Sequence, residues 1–223
     1  TKGFGFIQPD GGGQDVFVAK FRADGTHVWS DRMGDINDDT ALAVAVDASG
    51  DVFSTGYFQG NVDFGGGVLV SAGGPDAFVA KYSGADGGHL WSGGFGSTGI
   101  EAGFGIVADV DGDVIVTGAV SGPVDFGGGV LRGRGTQDIF IAKLSAASGG
   151  HVWARLFGSI SVDIGQAVAA DRSGDIFVTG SFQGTVDFGG GPLVDAGVGD
   201  IILAKLSGLD ATHLWSRSFG SST

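Results

Sequence analysis

The residues of this 223-residue chain that could do chemistry fall into a few recurring patterns. Asp109, Asp111 and Asp113 alternate through the loop Asp109-Val-Asp-Gly-Asp113. Carboxylates two residues apart in a turn can bring their oxygens onto one hard cation, so this loop is the candidate metal site, for Ca²⁺. The equivalent loops at Asp47, Ser49 and Asp51 and at Asp171, Ser173 and Asp175 carry one carboxylate fewer, and no Glu follows at EF-hand distance. A hairpin turn closed by Asx hydrogen bonds accounts for all three copies. Asp63, Asp125 and Asp187 each begin an Asp-Phe-Gly triplet and form the candidate ligand-binding set, as a ring of carboxylates if their loops surround a common axis. The competing reading is a turn in which Asp caps backbone amides and Phe packs inward. His27, His89, His151 and His213 occupy one repeat position. Imidazoles on neighbouring sheets stand at least ~10 Å apart, whereas a Zn–N bond is ~2 Å, so they cannot share an ion. Each His lies two residues before a Trp, on the same side of a strand. That predicts a buried Trp with a neighbouring imidazole donating a hydrogen bond. No Ser-His-Asp, Cys-His or phosphate-loop pattern is present, and no catalytic residue is assigned.

Elements that could position these groups follow from a repeat. His-Val-Trp or His-Leu-Trp recurs every 62 residues, and VDFGGG (from Val62, Val124 and Val186) and Thr-Gly (from Thr55, Thr117 and Thr179) keep the same step. A period of this length means stacked supersecondary units. The one slip is a loop-sized deletion: Lys20 to His27 is seven residues, against eight in the other copies. Short alternating apolar runs bounded by Gly, Asp and Ser read as strands, and no segment sustains helical spacing. In the third copy the strands are Ala167 to Ala170, Asp175 to Ser181, Asp200 to Leu206 and His213 to Phe219. Turns such as Asp171-Arg-Ser-Gly174, with Gly where positive φ is needed, make the first pair a hairpin, and Gly-rich loops make the second. The unit is a four-stranded antiparallel meander, the blade of a β-propeller, with a β-solenoid as the alternative.

Composition agrees with a folded all-β chain. There are 46 glycines, no cysteine, 42% hydrophobic and 17% charged residues, and 12 Lys plus Arg against 25 Asp plus Glu give a net charge of -13. The apolar share is too high for disorder. No apolar run approaches the ~20 residues needed to cross a bilayer, and no basic-then-apolar leader is seen, so a soluble chain without a membrane span is expected.

The blocks AVAVDASGDVFSTG (Ala43 to Gly56), AVAADRSGDIFVTG (Ala167 to Gly180) and DIFIAKLS (Asp138 to Ser145) resemble the bacterial SBBP-type β-propeller repeat, a relative of NHL-like blades. The resemblance runs from Asp15 onward, and the VDFGGGxL stretch is an addition to it. It implies a scaffold without a defined activity in a bacterial envelope or extracellular setting. A second resemblance is local: Lys2-Gly-Phe-Gly-Phe-Ile7 and Asp15-Val-Phe-Val18 are similar to the cold-shock domain, whose sheet aromatics stack single-stranded bases. Phe4, Phe6 and Phe17 would be the bases' partners. The family's histidine is Ala19 here, Val16 to Lys20 equally fits the repeat's own strand, and a chain at -13 repels phosphate.

Copy counting gives four third-and-fourth strand pairs but three first-and-second pairs, about three and a half blades in a single repeat domain. The divisions are 1–34 (N-terminal strand plus half-blade), 35–96, 97–158 and 159–220. Open propellers expose sheet edges. Completion is expected from Lys2 to Gln8, from a homo-oligomer, or from the remainder of a longer propeller. The functional expectation is a non-catalytic binding or structural module, secreted or at the bacterial cell surface. It needs no cofactor, with Ca²⁺ as the one candidate, and takes protein or glycan ligands on the VDFGGG inserts. The alternatives are a single-stranded nucleic-acid binder and a propeller enzyme with a carboxylate site.

Overall fold

The computed structural model describes residues 14–222 and the backbone of residues 2–4. A half-blade comes first, with strands β1 (Lys2–Phe4), β2 (Val16–Phe21) and β3 (His27–Met33). The first full blade holds β4 (Thr40–Val46), β5 (Val52–Phe58), β6 (Asn61–Asp63), β7 (Val68–Val70), β8 (Asp76–Tyr82) and β9 (His89–Phe95). The second holds β10 (Glu101–Ala108), β11 (Val114–Val120), β12 (Val124–Asp125), β13 (Val130–Leu131), β14 (Asp138–Leu144) and β15 (His151–Phe157). The third holds β16 (Ile164–Ala170), β17 (Ile176–Phe182), β18 (Thr185–Asp187), β19 (Pro192–Val194), β20 (Asp200–Leu206) and β21 (His213–Phe219). No described residue is helical.

Each full blade is an antiparallel four-stranded meander, ordered β4-β5-β8-β9 in the first and likewise in the others, which excludes the solenoid's parallel coils. The VDFGGG inserts are not loops alone: each forms a separate two-stranded hairpin, β6-β7, β12-β13 and β18-β19. Gly50, Gly112 and Gly174 take φ of 87°, 87° and 84° in the first hairpin turns, where only Gly is unstrained. The first strand of the third blade starts at Ile164, three residues before the sequence-based boundary. A β-bulge between Gly165 and Ala167 breaks its alternation there and hides the strand from a period-two reading.

The half-blade follows the register of the rest: Lys20 pairs with Trp29 as Lys81 pairs with Trp91. Val16 to Lys20 is therefore the repeat's third strand. β1 pairs with it so that Lys2 opposes Lys20, the place that Phe53 takes opposite Lys81. The N-terminal strand thus takes a second-strand position over three residues; Gly5 to Gln8, with Phe6, lie outside the described residues.

First strands of neighbouring blades pack on one another, β4 on β10 and β10 on β16, which places them innermost. The cores lie between blades. One joins Val16, Val18 and Trp29 to Val52 and Phe78, the next Phe53 and Trp91 to Val114 and Phe140, and the third Ile139 and Trp153 to Ile176 and Ile202. Sandwiched on both sides, β11 and β14 are buried along their whole length. In the third blade β20 alternates buried with exposed or half-buried residues, because nothing described covers its far face.

Candidate functional site

The lysines opposite each turn decide what the alternating carboxylates do. Asp109 Oδ1 accepts from the Asp111 amide at 3.0 Å, while its Oδ2 lies 2.6 Å from Lys143 Nζ. Asp113 Oδ2 is 3.6 Å from the same ammonium, and its Oδ1 accepts from the Ala146 amide. The Asp111 carboxylate is exposed. Two of the three residues proposed for Ca²⁺ therefore converge, on a lysine, and the third stands apart. Lys81 spans Asp47 and Asp51 at 3.3 and 3.2 Å, and Lys205 spans Asp171 and Asp175 at 3.1 and 2.9 Å. Lys81, Lys143 and Lys205 keep the repeat step, which is the sequence signal that a search confined to acidic ligands passes over.

The His-x-Trp positions also bind the scaffold together. Trp91 Nε1 donates to Ala146 O at 2.9 Å and Trp153 Nε1 to Gly208 O at 3.1 Å, each across to the following blade; Trp29 reaches Gly84 O at 3.5 Å. Lys20, Lys81 and Lys143 donate to the same three carbonyls. The expected pairing of imidazole with its neighbouring Trp is replaced: Nε2 of His27, His89 and His213 meets the Ser Oγ three residues on at 3.0 Å. The rings of His89, His151 and His213 lie against the inserts, so a Cβ placed on Gly66 would overlap the His89 ring.

Asp63, Asp125 and Asp187 act as turn caps. Oδ1 of each accepts from the amides two and four residues on, at 2.7 Å and 2.9 to 3.0 Å. The amides of Gly65 and Gly67 hold the Asp63 carboxyl below its ordinary value. The inserts pack on the fourth strands, β7 on β9 and β19 on β21, away from the first strands. The three carboxylates therefore do not form a ring at an inner mouth. Their Phe neighbours are buried at the junctions: Phe126 lies between Phe95 of the preceding blade and Phe140 of its own, at 5.1 and 5.0 Å.

A second set of acids is buried where blades join. Asp39 accepts from the amides of Asp35 and Gln59, and Asp163 from those of Ser159 and Gln183. Burial, with Asp35 and Asp15 nearby, raises the Asp39 carboxyl to about 6. Burial raises Asp76 and Asp138 too, with Glu101 and Asp163 adding repulsion. Asp76 Oδ1 is buried without a hydrogen-bond partner. A carboxyl raised on folding binds its proton more tightly in the folded state. Its contribution is therefore present below the unfolded value near 4 and is lost as pH rises through the folded one. Melting temperature is expected to rise as pH falls from about 7 to about 4.5, with Asp39 alone contributing on the order of 2 kcal/mol. Below that, carboxyls held low, such as Asp63 and Asp171, withdraw stability. Thermal melts across this range test the sign; a steady fall from neutral pH downward would refute it.

One ligand-sized groove, of about 640 Å³, opens between the second and third blades. Thr185, Asp187 and Gly189 of the third insert form one wall, with His213 beside them, and the segment after β13 together with β15 forms the other. The groove thus takes one of the three proposed ligand-binding acids, Asp187, and joins it to a lining of the preceding blade in which Arg132 and Arg134 depart from the repeat.

The SBBP beta-propeller repeat family model matches residues 152–181, which span β15 to β17. Among solved structures, the chain is similar to the quinohemoprotein alcohol dehydrogenase from Comamonas testosteroni, with a TM-score of 0.52 and 13% identity over 100% of this chain and 36% of that one. BamB from Moraxella catarrhalis matches with a TM-score of 0.46 and 12% identity over 96% of this chain and 47% of that one. A Bacteroides caccae protein of unknown function matches at 0.40 and 10%, over 90% and 68%. The chain spans less than half the length of the first two, and the likeness concerns the fold alone. No curated protein matches.

Proposed function

We propose that this chain is a non-catalytic binding or structural module of a secreted or cell-surface bacterial protein, taking protein or glycan ligands at the outer inserts. The observation that carries the reading is the division of labour among its polar groups. Asp63, Asp125 and Asp187 cap turns on separate blades, the turn acids pair with lysines, and the histidines pack on glycines. Catalysis needs mutually close groups at one site. The Asp187 groove, between two blades, is the place with room for a ligand. Peptide and glycan arrays are expected to yield a ligand whose binding weakens when residues 185–191 are replaced by a Gly-Ser segment, with no turnover of ester or glycoside substrates. Turnover that disappears in Asp187→Asn would establish the enzyme instead.

Partners include a second copy. The third blade's far face exposes Ile201 by 57% and Trp215 by 37%, whereas Ile139 and Trp153 at the equivalent covered positions are 0% and 5% exposed. Trp215 has no inter-blade acceptor among the described residues. At the other end of the array, Ala23 holds the place of Gly84, whose carbonyl receives Lys20 and Trp29. Donors at one end and an acceptor at the other suit a head-to-tail contact between copies. Light scattering is expected to give a mass above 22.3 kDa that falls in Trp215→Ala. A single species near 22.3 kDa at high concentration would reject association.

A further inference from the structure

We infer that the groove between the second and third blades binds a small ligand carrying two or more phosphate or carboxylate groups. This rests on the reading of the chain as a binding module and names the ligand class of the Asp187 groove. The carrying observation is a break in the repeat. Arg132 and Arg134 stand where the first blade has Val70 and Ala72 and the third has Val194 and Ala196; Arg155, which joins them, stands where the first blade has Gly93 and the third has Arg217. Three of the chain's seven arginines thus line one groove of a protein whose net charge is -13.

Among the described residues none of the three guanidinium groups lies within ion-pair distance of a carboxylate, although Asp138 feels the charge of Arg134 and Asp210 that of Arg155. Arg155 donates to two backbone carbonyls, Ala154 O at 3.0 Å and Asp210 O at 3.3 Å. The two acids of the groove are committed elsewhere: Asp187 to the amides of Gly189 and Gly191, and Asp138 to those of Arg134 and Gly135. In so acidic a chain, arginines gathered around a cavity without a direct carboxylate contact offer planar forks that fit phosphate or carboxylate oxygens two at a time. Arg132 and Arg134 flank Gly133 in the segment that follows β13, and both line the groove. Thr185, Thr212 and His213 add neutral or titratable donors around the same space.

The junction between the first and second blades, built from the same repeat without the arginines, is an internal control. Titration calorimetry of the whole chain at about 20 mM salt, with pyrophosphate in one arm and citrate in the other, tests the inference and separates the two chemistries. Saturable binding of either probe is expected, weakened at least about tenfold in Arg132→Ala/Arg134→Ala and in Arg155→Ala, and unchanged in Arg172→Ala. All of these arginines are exposed, and circular dichroism checks that each variant stays folded. No saturation by either probe, or equal affinity in the groove variants and the parent, would overturn the inference. The array experiment above would still stand, since it reads ligands of any charge.

Discussion

Alanine at Gly118 is expected to abolish cooperative folding or to remove more than about 4 kcal/mol of stability, the range reserved for a forced backbone displacement. Gly118 lies in β11, the second strand of the blade enclosed on both faces. A Cβ there would overlap the carbonyl oxygen of Ala102 on β10 and come within 2.6 Å of Phe140 Cε1. The obstructing atom is backbone, so relief means parting β10 from β11 beside the bulge between Gly103 and Gly105. Interiors packed at crystal density offer no slack for this. Gly129 is the comparison: nothing lies within 4 Å of its Cβ position, and its φ of 105° makes alanine costly by strain alone, about 1 to 2 kcal/mol. Denaturant melts of the two variants should differ several-fold in lost stability. Near-equal losses would show that the close approach in the blade centre is not limiting.

The second large effect is expected at Lys143. Its side chain is 9% exposed and that of Asp109 2%, and Lys143→Met leaves Asp109 charged, buried and without its cation. Breaking a buried pair from one side costs about 3 to 5 kcal/mol. For a chain of this length that lowers the melting temperature by roughly 10 °C. Gly208 O loses a donor as well and keeps only Trp153 Nε1. Adding Asp109→Asn to Lys143→Met should restore part of the loss, because it removes the stranded charge. Lys205→Met should cost far less: its ion pairs are more exposed and, among the described residues, it serves no carbonyl of another blade. Equal losses at Lys143 and Lys205 would contradict the role of burial.

The fold was legible because the residues that build it repeat. Trp29, Trp91, Trp153 and Trp215 gave the step, and Gly50, Gly112 and Gly174 marked turns whose positive φ the structure bears out. Legibility failed where the period-two pattern breaks or where distance in space matters more than spacing in sequence. The bulge after Gly165 hid the start of β16. The lysines served only as spacing landmarks, although Lys143 reaches a carbonyl 65 residues away. The buried acids at Asp39, Glu101 and Asp163 share a position but not a residue type, so a search for identical letters misses them. The arginines of the groove were invisible for the opposite reason: Arg132, Arg134 and Arg155 have no counterparts in the first blade, and only the docking of the third blade walls in the space they line.

The indole and ammonium clasp runs one way. Trp153 and Lys143 belong to the blade earlier in the chain, and Gly208 to the later one; the same order holds for Trp91, Lys81 and Ala146. Each joint between described blades is thus made by the same donors on the same kind of carbonyl, as links of a chain are made alike. Recombination that duplicates or deletes a whole 62-residue unit in phase preserves each surviving joint and changes stability by a nearly constant increment. An out-of-phase event strands a Trp opposite no carbonyl. Copy number is therefore the property that evolution can vary most freely here, and the Arg132 groove is tied to one particular joint in the series.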